Sequence, residues 1–534
     1  MRTTKIGILI VAFNFLVACQ DQLDVKNPNQ PTVDALNTES GIISFAQGGV
    51  YVNGFQWNNE TGALPYSAIH DRMADVIGSD FGGYPISTPE LVTLNDGSTV
   101  PNPLNPPSQV AWLRLFNTGT YIGMPVEWYP NYAMNNACNI LLNHIDQVKY
   151  TGDTDTKKGV LRAWAYFWKG YAYSRIGSMY YAGLINNDPV GTNGLFKSNK
   201  DILAEAENNF AAAETILNGL TANADYNNIL GSIIPDFNQV GLGGVLTPGM
   251  WKKTINTFRA RNLLANKVTS TMTTADWDQI LSLANNGIGK TDLVFTGRSN
   301  ENGDFFQAQY GTVASATTGD PHGRAATKIS ERLIQDFRVG DLRKDNNFAQ
   351  VSSPWLGQPE RGNSFNTRWE LLDGGNGLPG VIQYSNLAVG AYELFLSGCY
   401  EENELMKSEA NIYKGGANIE TGLQIIDAVR IFQGAGLPAL AGTGKTQAQA
   451  IAELRSERRV ALLFRGVAFY DARRWGIIEA GAGRSNTVVV DNYGNLNTNA
   501  KIEYHFLDYW DVPNGELIYN PAAPGSAAIV NPKN

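Results

Sequence analysis

The chain has 534 residues, 43% of them hydrophobic, enough for a sizeable core, so intrinsic disorder is not the starting expectation. Its formal net charge of −9 lacks the basic balance that a nucleic-acid partner requires. The 3 cysteines, Cys19, Cys138 and Cys399, are too few and too scattered for a disulfide scaffold or a zinc site. Cys138 and Cys399 lie in apolar, helical text and read as buried small hydrophobes.

Arg2 and Lys5 precede an apolar run from Ile6 to Val17, broken only by Gly7 and Asn14. That run is too short to span a bilayer, which takes ~20 apolar residues, and has the size of a signal-peptide core. It ends in Leu16-Val17-Ala18-Cys19, which resembles the lipobox read by the lipoprotein signal peptidase; the alternative is an ordinary secretory signal with a coincidental cysteine. On the lipobox reading, residues 1–18 are a signal peptide and Cys19 carries lipid as the mature N-terminus. Residues 19–38 then form a polar tether containing Lys26-Asn27-Pro28-Asn29-Gln30-Pro31-Thr32. The acidic stretch Gln20 to Asp24 resembles a surface-export signal of such lipoproteins. Later segments are too polar to cross a membrane, so attachment would rest on the lipid.

Residues 39–534 read as a single domain. Helical text runs from Glu39 to about Trp57, from Tyr129 to Ile145 and from Lys157 to Tyr180. The third segment places Leu161, Trp164, Ala165, Trp168, Tyr171 and Ala172 on one stripe and Tyr166, Phe167 and Tyr173 on the other side. A helix apolar on two faces must be covered on both, as in a stacked helical array. Asp201 to Asn218 is the cleanest helix, with Leu203, Ala206, Phe210, Ala213 and Leu217 along a seam, Ser198 and Asp201 as a capping-box start and Gly219 as its stop. Further helices are expected at Thr254 to Val268, Ala275 to Asn286, Glu404 to Tyr413 and Glu420 to Phe432, with one last long helix from Gln447 to Ala472. Helix pairs joined by short turns approach the tetratricopeptide unit of ~34 residues, without its clean signature. Between the helices lie long loops rich in Gly, Asn, Pro and aromatics, at about 77–107, 226–248 and 295–380. Loops of that length carry function or small sheets of their own.

The stretch Arg455-Ser456-Glu457-Arg458-Arg459-Val460-Ala461-Leu462-Leu463-Phe464-Arg465-Gly466, continuing through Phe469-Tyr470-Asp471-Ala472-Arg473-Arg474-Trp475-Gly476, resembles the C-terminal hallmark of SusD/RagB proteins. Leu161-Arg162-Ala163-Trp164-Ala165-Tyr166-Phe167, Ser408-Glu409-Ala410-Asn411, and Ile425-Ile426-Asp427-Ala428-Val429-Arg430 followed by Gly436-Leu437-Pro438 resemble further segments of that family, in family order. The resemblance implies a mainly α fold, a right-handed superhelix of four tetratricopeptide-like helix pairs with loops and small strands on a ligand-binding side. It implies a non-enzymatic glycan-binding lipoprotein of the outer membrane, facing outwards and capping a SusC-like TonB-dependent transporter. A peptide-binding member of the family and a secreted glycoside hydrolase are the alternatives. The hallmark itself reads as structural, its guanidinia lying over rings and pairing with carboxylates such as Glu457 and Asp471.

Competing motifs are weak. Gly442-Thr443-Gly444-Lys445-Thr446 resembles the end of a phosphate-binding loop, but Ala439 stands where that loop needs glycine. His70, His144, His322 and His505 show no metal-ligand spacing, and no cofactor motif is present. Asp75 and Asp80 would form a glycosidase pair only at a suitable separation in space.

A sugar presents apolar C–H faces and a rim of hydroxyls, so its site needs aromatic plates beside planar amides, carboxylates and guanidinia. The early and middle loops, from which SusD-like proteins take their ligand contacts, hold both. The expected contacts are Asp80, Phe81 and Tyr84 in the first loop, and Tyr310, Trp355, Arg361, Asn363 and Trp369 in the third, with Phe365, Asn366 and Arg368 beside them. Trp355, Trp369 and Tyr84 are the expected stacking platform.

Overall fold

The computed structural model describes residues 33–55, 66–79, 84–117, 127–191, 193–298, 317–319, 327–357 and 366–533. The signal segment, Cys19 and most of the tether lie outside these residues.

The Thr38 hydroxyl caps the first helix, α1 (Glu39–Phe45), by accepting from Gly41 N. The chain then widens into π-helical turns over Ala46–Val52, where Gly48 and Gly49 fall, before Asn53–Phe55. Two helices that the periodicity did not announce follow, α2 (Tyr66–Met73) and α3 (Gln109–Asn117). Next come α4 (Trp128–His144) and α5 (Thr154–Met179), the latter capped by Asp153. In α5, Trp164, Phe167, Trp168, Tyr171 and Tyr173 are all buried, so both apolar faces are covered as expected. Helix α6 (Asn199–Asn218) starts on the Ser198–Asp201 capping box and ends at Gly219.

Helix α7 (Ala224–Ile233) takes the front of the stretch expected to be a loop at 226–248. Helix α8 (Pro248–Ala265) begins earlier than its apolar pattern because Thr247 caps it and Pro248 occupies the first turn. Then come α9 (Thr274–Asn285), α10 (Tyr400–Lys414) and α11 (Asn418–Phe432). The expected last helix divides into α12 (Gln447–Ala461) and α13 (Ala468–Arg474). The break is marked in the backbone, where Phe464 at φ 60° and Gly466 at φ 68° leave the right-handed helical region.

Helices pack mainly on their neighbours: α5 along α4 and α6, α8 on α9, and α10 against α9, α11 and α12. This is a mainly α, tetratricopeptide-like stack. One core at its N-terminal end joins Tyr51, Trp164, Phe167, Trp168, Trp251, Phe258 and Phe295; a second gathers α2, α3 and the C-terminal elements. Cys138 and Cys399 are free, buried, and lie in different cores.

Short strands occupy the loops: β1 (Ile77–Ser79), β2 (Leu91–Thr93), β3 (Thr99–Pro101), β4 (Ala182–Gly183), β5 (Lys197–Ser198) and β6 (Thr296–Gly297). They continue with β7 (Thr327–Ile329), β8 (Phe348–Trp355), β9 (Thr367–Leu371), β10 (Leu394–Phe395), β11 (Arg484–Val490) and β12 (Leu496–Glu503). The largest sheet has the order β11-β12-β2-β3; β1 pairs with β7, β6 with β10 and β8 with β9, all antiparallel. Among the described residues, no helix is long and apolar enough to cross a membrane.

Candidate functional site

Of the expected contacts, Asp80, Phe81, Tyr310, Arg361 and Asn363 lie outside the described residues, as does Phe365. Tyr84 opens a short 3-10 turn, Tyr84–Ser87. Trp355 and Trp369 meet on the β8–β9 hairpin, where Trp355 opposes Thr367 and Trp369 opposes Gln350, which puts both rings on one face. That face is packed. Trp355 is only 8% exposed, and the Lys328 ammonium stands 5.0 Å from its ring centre. Trp369 is partly buried against the second core, with Lys344 5.4 Å from its ring. Asn366 is buried, donating to Val490 O and Asn492 Oδ1, and Arg368 is held by Glu331. As placed, Trp355 offers no bare plate, and Asn366 and Arg368 are engaged with protein partners.

A cleft of about 370 Å³ opens beside the base of this hairpin. The segment after β9 forms one wall and is docked by Ile382 N on Gln433 O and by Tyr384 Oη on Val460 O. Strand β10 pairs with β6, Leu394 opposite Gly297 and Phe395 opposite Thr296, and strand alternation turns Leu394 inwards while Phe395 lines the cleft. Tyr392 and Phe432 are the other lining rings, and Arg298, Gln383, Asn386, Glu393, Glu401, Gln433 and Arg465 supply polar groups.

The wall is held by specific bonds. One Glu393 oxygen accepts from Leu242 N and Gly243 N, each at 3.1 Å, and pairs with Arg298 at 3.1 Å. Arg298 also donates to Gly390 O at 2.7 Å. Gly241 closes this turn at φ 65°, and a side chain there would sit 2.6 Å from the Arg298 guanidinium, so glycine is required on both counts. Glu401 accepts from Gln433 Nε2 at 3.1 Å, and Gln433 accepts in turn from Arg343. Burial raises the Tyr392 phenol, although Arg465 pulls it the other way, so it stays a neutral donor. Arg465 lies over Phe395, 4.2 Å from the ring centre.

Of these cleft residues the sequence singles out only Arg465, as part of the hallmark stretch and in a structural role; none is among the expected ligand contacts. A signal existed: Tyr392-Glu393-Leu394-Phe395 places two rings around a carboxylate just past the last long loop. Chemically the cleft combines ring faces with planar hydrogen-bonding groups, the pairing that a sugar requires.

The buried carboxylates outside the cleft lining belong to the frame. Burial would raise the Asp75 carboxyl, but Arg332, with Ser330 and Tyr504 also bonded to it, holds it down at about 2. It is therefore an ionised partner and not half of an acid/base pair. In the hallmark stretch, Arg458 and Arg474 clasp Asp471, Arg474 also binds Glu409, and Glu457 receives Arg343 and Arg430. Arg455 lies over Trp475, 5.1 Å from its ring centre, as the structural reading of this stretch expects. Lys445, in the glycine-rich turn before α12, pairs with Glu453 at 3.2 Å and lies apart from the cleft lining. Among the described residues, no group of three or more His, Cys, Asp or Glu is placed to hold a metal.

Residues 402–523, which include the whole hallmark stretch, match the SusD family model. In fold the chain is similar to a SusD-like carbohydrate-binding protein from Bacteroides fragilis, with a TM-score of 0.59 and 15% identity, over 91% of this chain and 99% of that one. It is also similar to a SusD homolog from Bacteroides thetaiotaomicron, with a TM-score of 0.56 and 15% identity, over 91% of this chain and 98% of that one. A SusD-like carbohydrate-binding protein from Bacteroides vulgatus gives a TM-score of 0.53 and 13% identity, over 92% and 98% of the two chains. No curated protein matches the chain in sequence. Residues 402–523 thus match the SusD family, and over most of its length the chain shares the fold of SusD-like structures.

Proposed function

We propose that this chain is a surface lipoprotein that captures an oligo- or polysaccharide and delivers it to a SusC-like TonB-dependent transporter. In this reading it is anchored in the outer membrane through lipid on Cys19, faces the cell exterior, and binds its glycan without cleaving it. The observation that carries the binding step is the cleft, where Tyr392, Phe395 and Phe432 stand among Arg298, Gln383, Asn386 and Arg465. Two neighbours of the same fold, from B. fragilis and B. vulgatus, are SusD-like carbohydrate-binding proteins, which supports the same ligand class here. Asp80, Phe81, Tyr84, Tyr310, Arg361, Asn363 and Trp369 are proposed to extend the contact surface from the loops. Trp355 joins them only where Lys328 moves off its ring.

The test is a glycan array on the purified protein, followed by calorimetric titration of the best ligand and analysis of the products. Saturable binding with the sugar recovered intact is the expected result. Binding of peptides but no glycan selects the peptide-binding alternative, and released sugar selects the hydrolase. For the delivery step, affinity purification from native membranes should bring down a TonB-dependent barrel, and recovery of the protein alone across growth substrates overturns it. Cys19→Ala should release the protein from membranes that lack the barrel.

A further inference from the structure

We propose that the cleft selects acidic carbohydrates, with Arg465 receiving the carboxylate of the ligand; this rests on the glycan-binding reading of the same cleft. Arg465 differs from most of the guanidinia around it, although Arg455 and Arg473 also lack a carboxylate and are held by Tyr413 and by backbone carbonyls. Arg343, Arg430, Arg458, Arg459 and Arg474 each pair with a carboxylate. Arg465 Nε and Nη1 are buried without a hydrogen-bond partner, and no carboxylate among the described residues forms an ion pair with it.

The nearest candidate partners in the cleft are engaged elsewhere. Glu393 is bonded to Leu242 N, Gly243 N and Arg298, and Glu401 is bonded to Gln433. A second lining donor, Arg298 Nε, is also buried without a partner.

The backbone supports a positioning role for this turn. Arg465 lies between Phe464 at φ 60° and Gly466 at φ 68°. A bulky residue in the left-handed region is a costly conformation, held here by burial of the Phe464 side chain. Phe395 covers one face of the guanidinium, so further bonds form at its edge, in plane. Arg465 is part-buried; burial works against its charge, while Tyr392, Cys399, Glu401 and Glu393 favour it without bonding it. An ionised ligand carboxylate adds charge-assisted bonds at its open edge, where a hydroxyl offers only a dipole. With a net charge of −9, the protein as a whole repels acidic polymers, so any preference for them must come from a local contact such as this one.

The experiment uses the full chain on an array of neutral, uronate-bearing and sialate-bearing oligosaccharides, with a panel of free-carboxylate peptides as a separate arm. The best acidic ligand is then titrated beside its carboxyl-reduced counterpart, against wild type, Arg465→Gln and Arg465→Lys. Wild type should bind the acid about tenfold or more tightly than the reduced sugar, with the difference shrinking as salt rises. Arg465→Gln should abolish that difference, and Arg465→Lys should restore part of it. Equal binding of acid and reduced sugar by wild type overturns the inference, a result that needs no variant to fold. Array hits confined to neutral sugars overturn it while leaving the glycan reading intact. No glycan binding at all, or binding of peptides alone, removes the glycan reading and this inference with it.

Discussion

Six arginines fall between Arg455 and Arg474, and they build two neighbourhoods of opposite kind. Where α12 meets α13, Arg458 and Arg474 close on Asp471 and Glu409, while Arg459 reaches Asp336 and the carbonyls of Ala74 and Asp75. A few residues away, Arg465 stands over Phe395 at a cleft wall with buried N–H groups unpaired. Residue type does not separate the two neighbourhoods, and neither does a spare N–H, since Arg458 Nη1 is unpaired as well. Burial and carboxylates do: Arg458, Arg459 and Arg474 are buried, matched by carboxylates, and hold the frame, whereas Arg465 is part-buried beside a cavity, unmatched by an ion pair.

The largest effect is expected from breaking the matched side. Glu457→Ala removes the buried carboxylate that Arg343 and Arg430 share at 2.6 Å and 2.7 Å, leaving them Asp341 and Glu453, and should cost about 3–5 kcal/mol in denaturant unfolding. A loss under about 1 kcal/mol would contradict the structural role of the hallmark.

Trp355→Ala comes next. It removes a ring that is 8% exposed, so it should lower stability by about 3 kcal/mol and leave glycan affinity unchanged at temperatures where the variant is folded. Weaker binding at an unchanged melting temperature would return Trp355 to the ligand surface and redraw the comparison.

The matched side also predicts a pH dependence. Asp75 titrates at about 2 in the folded protein, below its ordinary 3.8. The stability it contributes, about 2 kcal/mol, is fully present above its unfolded value and is lost as pH falls from there through 2. Melting curves between pH 5 and pH 2 should therefore fall more steeply for wild type than for Asp75→Asn. Parallel curves would mean that the Arg332 pair contributes nothing to the pH dependence.

On the unmatched side, Phe395→Ala should weaken glycan binding by roughly tenfold with a small change in melting temperature, since the ring is half-buried and faces the cleft. A large fall in melting temperature would place Phe395 with the frame. The smallest effect belongs to Arg455, part-buried over Trp475. Arg455→Ala should cost about 0.5–1 kcal/mol in unfolding and leave binding untouched.

Most helices were legible in the sequence because their determinants are local. Ser198 with Asp201, and Gly219 at the far end, mark α6 within one stretch of chain. The double apolar face of α5 likewise foretold a helix covered on both sides. The structural reading of Asp471 was legible too, because its partners Arg458 and Arg474 lie on the same short stretch, whereas those of Glu457, Arg343 and Arg430, come from outside it. What escaped depends on distant partners. The α12–α13 break falls where Phe464 and Gly466 take left-handed backbone, inside an apolar run whose pattern alone continues the helix. Trp355 reads as a loop aromatic in the sequence and becomes a buried one only when β8 meets β9 and Lys328 covers it. Arg458 and Arg465 look alike along the chain. Only the tertiary structure folds Asp471 back on the first and leaves the second facing a cleft, because the walls of that cleft come from segments far away in sequence, such as Tyr392 to Phe395.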